Sequence, residues 1–348
     1  MSPTTADPEH GASVTCSYRT EAAEQLLKDE QALAVVSFGA HSGPGDDPRH
    51  IYCGLPQLGG EPVTEVWRTT GVVHRGEENG CHWAQSEDSL FVALWIEDGG
   101  DALSLRDEVM RSYRQLLALI QQRGFPRIVR AWNYIADINA GAGDMERYRQ
   151  FCAGRQTAFS DWHYSNETYP AASALGHRCD KTAVYLLAGK HAARPIENPR
   201  QVSAYHYPRE YGPASPSFAR AALMDCGANQ LLHISGTASV VGHESQHEGD
   251  LAAQLQTTFS NLDALFERSS EYTTLGTRPA ADLLKVYVRR EEDYETVRQA
   301  VCARFPHAQS IFLRADICRR ELLVEIDGVG VLSETRPHQN FGSTAVNE

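Results

Sequence analysis

The chain has 348 residues, 42% of them hydrophobic, enough to bury a sizeable core, and its length favours two domains. Its 32 lysines and arginines against 45 aspartates and glutamates leave a formal net charge of −13, which argues against a nucleic-acid partner and requires any anion site to be locally basic. No run approaches the roughly 18 apolar residues of a membrane span, so no membrane association is expected. The eight cysteines form no CxxC motif and no signal-peptide pattern opens the chain, so reduced thiols in a cytoplasmic protein are expected.

The first 15 residues and those after about 335 are polar and proline-bearing and are expected to be mobile tails. Between them, the apolar runs 34–38 and 90–95 read as strands. In 105–122, Val109, Tyr113, Leu116, Leu117 and Ile120 have the spacing of one helix face, which Gly124 and Pro126 end. A strand over 128–135 follows. The segment 143–159 reads as a second helix starting at Asp144, and within it Tyr148 and Arg155, seven apart, share a face. Residues 181–187 form another strand, and five prolines between 191 and 216 mark the connection between domains.

In the second half, 230–238 and 283–288 read as strands, and 250–268 and 293–304 as helices. Two further apolar runs, 310–318 and 322–329, are separated by Arg319, Arg320 and Glu321 and read as a hairpin. Alternation along the first would place Phe312, Arg314, Asp316 and Cys318 on one face, the site face. This order indicates an α+β fold: two mixed-sheet domains, 16–195 (α/β) and 200–335, with helices packed on one face. Within the second run Glu325 is flanked by Leu323, Val324 and Ile326. Ionised, buried and unpaired, it would cost several kcal/mol, so it is protonated, partnered or turned to a cleft, and the chemistry is expected there. His243 and His247 are four apart, but in a Gly/Ser/Glu loop rather than on a helix; they read as loop residues, and no metal is expected.

HISGTASVVG (233–242), GDLAAQLQTTFSNLDALF (249–266), the Val286-Tyr287-Val288 strand before Asp293 and LLVEIDGVG (322–330) resemble the RidA/YjgF fold, shared in outline with the trimeric chorismate mutases, over about residues 222–330. RAWNYIADIN (130–139), the Tyr148/Arg155 helix, YHYP (205–208) and SPSFAR (215–220) extend a resemblance to the chorismatase family over nearly the whole chain. Members of that family supply hydroxybenzoate or dihydrocyclohexadiene building blocks for polyketide and aryl-polyene pigment pathways. The resemblance implies that Tyr148, Arg155, Tyr207 and Arg220 hold chorismate, that Glu325 is the general acid, and that no cofactor is needed. Two arginines suit a substrate with two carboxylates, because a planar guanidinium binds a carboxylate through two bonds. Gly236 together with Cys318 matches the members that form 3-hydroxybenzoate rather than those that add water.

The chemistry implied is protonation of the enolpyruvyl ether by a carboxyl held neutral among apolar neighbours, followed by loss of pyruvate. The substrate's own hydroxyl then leads through an arene-oxide-like species to the aromatic acid, with Gly236 letting the ring sit deep and Cys318 helping to remove the ring proton. Release of some 4-hydroxybenzoate and hydrolysis to a dihydroxycyclohexadiene acid are the nearest alternatives. An imine deaminase of the RidA type would need an arginine near Ser310, and a non-catalytic metabolite binder is the third class. Small relatives of the fold form trimers, whereas a two-domain chain can satisfy those interfaces internally, so monomer and trimer-like assembly both stay open.

Overall fold

The computed structural model describes residues 14–97 and 99–333, so the expected tails lie almost wholly outside the described residues. Three large sheets carry the fold. In the seven-stranded sheet the order is Asp316–Ile317, Ala171–His177, Arg127–Ala136, Lys181–Gly189, Ser89–Glu97, Cys81–Gln85, His74–Glu78. In the six-stranded sheet it is Arg194–Ile196, Ala221–Cys226, Asn229–Ala238, Val324–Ser333, Leu283–Val288, Gln309–Arg314. A five-stranded sheet is built from strands between Thr15 and Arg68.

Helices lie on one face of each of the two larger sheets. Asp101 caps Ala102–Gln122 by accepting from the amides of Leu103 and Ser104, and this helix with Arg147–Asp161 buries Leu105, Leu116 and Phe159 against Val92 and Val184. Leu251–Ser270, capped by Asp250, and Tyr294–Arg304 do the same for the six-stranded sheet through Leu262, Leu265 and Val297. The opposite faces of the two sheets meet: Tyr134 and Tyr287 bring their hydroxyls to 3.1 Å, and Arg130 pairs with Asp327. The five-stranded sheet closes over this junction, with Trp67 against Trp132 and Glu65 reaching Lys285. The α+β mixed-sheet class read from the sequence therefore holds. Among the described residues, no helix is long and apolar enough to cross a membrane.

Three local expectations are corrected. The hairpin of 310–318 with 322–329 does not form: Leu283–Val288 lies between them, parallel to Gln309–Arg314 and antiparallel to Val324–Ser333. The chain turns at Ala315, and Asp316–Ile317 leaves to pair with Ala171–His177 in the other sheet. The Arg289 guanidinium holds this turn by donating to the carbonyls of Ile317, Arg319 and Leu322 while pairing with Asp316 at 2.9 Å. The alternation accordingly breaks: Phe312 joins the helix-side core, and of Phe312, Arg314, Asp316 and Cys318 only Cys318 reaches the cavity between the sheets. Finally, Asp144 starts no helix. It sits in the 3-10 turn Gly143–Met145 and pairs with Arg209 at 2.6 Å, while the α-helix begins at Arg147.

Candidate active site

A cavity of about 300 Å³ opens between the Arg147–Asp161 helix, the proline-bearing segment before Ala221–Cys226 and the inner faces of the two larger sheets. Tyr148, Arg155, Tyr207, Arg220, Gly236, Cys318 and Glu325, which come from distant parts of the chain, all line it. Ser235 fixes the junction from which Gly236 faces the cavity. Its hydroxyl donates to Ala219 O at 2.6 Å and accepts from the amide of Ala172 at 2.9 Å, and the strand register slips between Ile234 and Thr237.

Glu325 lies opposite Ala238 on one neighbouring strand and Tyr287 on the other, and is only 4% exposed. Burial above all, with the charge of Asp327, pushes its carboxyl up to about 8, against the opposing pull of Arg130, Arg220 and Arg289. The group is therefore an acid at neutral pH. No ion pair to Glu325 occurs among the described residues, and Arg320, nearby in sequence, reaches toward Glu146 instead. Gly236 has ordinary backbone geometry, so space explains its lack of a side chain. A Cβ there would collide with Glu325 Oε1 and stand 2.8 Å from its Cδ.

Arg155 and Arg220 are 2% and 6% exposed, and neither forms an ion pair among the described residues. The Nε of each has no hydrogen-bond partner. Arg220 donates to Tyr207 Oη at 2.7 Å and to Val202 O at 2.9 Å, which fixes both side chains, and Glu197 supports its charge from behind. Two desolvated guanidiniums without a close ion-pair partner, Arg220 with only the longer-range field of Glu197, leave charge for a ligand to neutralise. The basic spot required by an acidic chain is thus present.

Burial, then the neighbouring Glu325, raises the Cys318 thiol well above its usual range. A thiol so held is no base at neutral pH, which changes the part expected of it. Arg319 was missed in the sequence: its guanidinium stacks 4.2 Å from the Tyr211 ring and 5.2 Å from that of Tyr207, on the cavity wall. The adjacent Arg319-Arg320 in an acidic chain, directly after Cys318, was the available signal. His243 Nδ1 hydrogen-bonds with the Tyr211 hydroxyl at 3.2 Å, and no group of three His, Cys, Asp or Glu placed to hold a metal occurs among the described residues.

Residues 65–188 match the family model described as "Chorismatase FkbO/Hyg5-like, N-terminal". A 3-hydroxybenzoate synthase of Streptomyces hygroscopicus is 38% identical over 281 residues, 77% of this chain and 82% of the relative. A chorismatase of the same organism is 33% identical over 328 residues, 90% of this chain and 93% of the relative. A chorismatase crystal structure superposes with a TM-score of 0.82 at 30% identity, covering 93% of this chain and 99% of the other.

Proposed function

Because the chain belongs to the chorismatase family, we propose that it converts chorismate to 3-hydroxybenzoate and pyruvate in this cavity, with Glu325 delivering the proton that starts the reaction. One observation carries the assignment of roles: a buried carboxyl, neutral at neutral pH, shares a cavity with two buried guanidiniums that form no ion pair among the described residues. We read the chain as two domains, 16–195 and 200–335. The first supplies Tyr148 and Arg155, and the second Tyr207, Arg220, Gly236, Cys318 and Glu325. A single chain completes the site. We place it in the cytoplasm, where reducing conditions keep the free cysteines as thiols.

Arg155 and Arg220 hold the two carboxylates of chorismate, and Tyr148 and Tyr207 orient it through their hydroxyls. Pairing Arg220 with the substrate cancels its pull on a Glu325 carboxylate, so binding strengthens the hold of Glu325 on its proton until that proton moves to the terminal methylene carbon. The ring C–O bond then breaks and pyruvate leaves. The neighbouring hydroxyl oxygen bonds to the vacated ring carbon, and its proton returns to the Glu325 carboxylate. The restored acid protonates the oxygen of the arene-oxide-like species, the carbon–oxygen bond opens, and the carboxylate takes the ring proton as the ring aromatises. No water is consumed. The bare backbone at Gly236 lets the ring lie against the acid, apolar side chains such as Ala172, Phe218 and Leu322 keep water out, and Cys318 shapes the wall beside Glu325 as a neutral thiol.

Purified protein given chorismate alone should release pyruvate and 3-hydroxybenzoate in equal amounts, read by chromatography, with any 4-hydroxybenzoate a minor product. Glu325→Gln should lower pyruvate release by about 10²-fold or more while the protein stays folded. A dihydroxycyclohexadiene acid as main product, or full turnover in Glu325→Gln, would overturn this reading.

A further inference from the structure

Asp327 lies two residues beyond Glu325 on the same strand and faces the same side of the sheet, but beneath the cavity rather than in it. Its Oδ2 accepts from Arg130 Nη2 at 2.8 Å, Ser173 Oγ at 2.7 Å and Tyr287 Oη at 2.8 Å. Both members of the Arg130–Asp327 pair are 1% exposed. Lys285, opposite Asp327 in the sheet, pairs with Glu65 at 2.8 Å. This interior therefore holds two cations matched by two carboxylates. An ionised Glu325 would add an unmatched anion about 7 Å along the strand from Asp327.

The charged and titratable groups around Glu325 sort by sign. Arg130 from the seven-stranded sheet, Arg220 before Ala221–Cys226 and Arg289 after Leu283–Val288 all favour its carboxylate form. Cys318 and Tyr287, from the neighbouring turn and strand, are neutral, both raised chiefly by burial. Asp327 is the anion that opposes the three guanidiniums. Ser173 lines the cavity and bonds to both members of the Arg130–Asp327 pair, so the link reaches the substrate's wall.

We propose that Asp327, fixed by Arg130, Ser173 and Tyr287, is a positioning residue whose standing negative charge keeps the proton on Glu325 until substrate takes it. This inference rests on Glu325 as the acid of the reaction. Removing the Asp327 charge leaves burial alone to oppose three guanidiniums, and the acid loses a large part of its proton at neutral pH. Removing the Arg130 charge does the reverse. The two halves of one ion pair thus have opposite effects on the proton, which a purely structural pair would not.

The test is the pH dependence of pyruvate release by full-length Asp327→Asn, Arg130→Gln and the double variant. Asp327→Asn should move the alkaline limb down by about one pH unit, with the rate recovering on acidification, and Arg130→Gln should move it up. The double variant, which strands neither member of the Arg130–Asp327 pair, should fall below the parent but above Asp327→Asn, and it carries the test if Asp327→Asn does not fold. Limbs that stay in place, or move the same way in both single variants, overturn the inference. If Glu325→Gln is inactive while the limbs stay fixed, only this inference fails; if Glu325→Gln is active, the assignment of the acid fails with it.

Discussion

Asp327 and Glu325 are two residues apart on one strand, yet Asp327 is enclosed by Arg130, Ser173 and Tyr287, whereas Glu325 faces a cavity and has no ion pair among the described residues. The cations divide in the same way: Arg130 and Lys285 form ion pairs with carboxylates, and Arg155 and Arg220 form none among the described residues. Burial is nearly equal in the two regions, so burial does not distinguish them. What differs is whether the protein itself satisfies the charge. On the function proposed above, the paired region contributes to the fold and the unpaired region holds its charge for the substrate.

This contrast can be broken most directly by removing one cation from each region. Arg155→Ala should reduce kcat/KM for chorismate by about 10²- to 10³-fold without loss of stability in denaturant unfolding, because it removes a desolvated charge that had no counter-ion. Lys285→Met should do the reverse, costing about 3–5 kcal/mol of stability by stranding Glu65, at little cost to chemistry in the folded fraction. If both variants unfold alike, the two regions are not distinct.

A comparable effect depends on pH. The Glu325 carboxyl lies near 8 in the folded protein and at 4.5 when free, so the native state holds a proton that the unfolded chain releases between those values. Its contribution to stability is fully present below 4.5 and falls as pH rises towards 8. Glu325→Gln, which cannot ionise, should therefore gain stability over the parent across that window, up to a ceiling of about 4–5 kcal/mol, measured by unfolding at fixed pH. A constant difference at all pH values would mean that Glu325 does not titrate this way.

Smaller still, Gly236→Ala should slow pyruvate release about tenfold and alter the product ratio, since the added methyl must push the acid aside. Cys318→Ala should shift the ratio of aromatic products with little change in rate. Chromatography of each reaction checks both, and unchanged products in Gly236→Ala would remove that residue from the site.

Glu325 was legible from the residues themselves because it interrupts an apolar strand. Helical spacing put Tyr148 and Arg155 on one face, whereas their roles, and those of Tyr207, Arg220, Gly236 and Cys318, rested on the resemblance to the chorismatase family. Lys285 interrupts the buried strand Leu283–Val288 in the same way, and this identical signal was passed over. Its partner Glu65 lies 220 residues away in another sheet, a pairing that local periodicity does not encode. The false hairpin has the same origin. A short connection between two apolar runs favours pairing them, but Arg289 gathers the carbonyls of that connection and turns the chain toward the other sheet. Asp144 was misread because Arg209, 65 positions later, holds its carboxylate.

The two-residue strand Asp316–Ile317 stitches the C-terminal half of the chain onto the sheet of the N-terminal half, and the turn bearing Cys318 and Arg319 hangs directly from that stitch. Hinging the halves apart would tear out one wall of the reaction chamber. A reaction run in this cavity therefore needs the seam between the halves to stay shut.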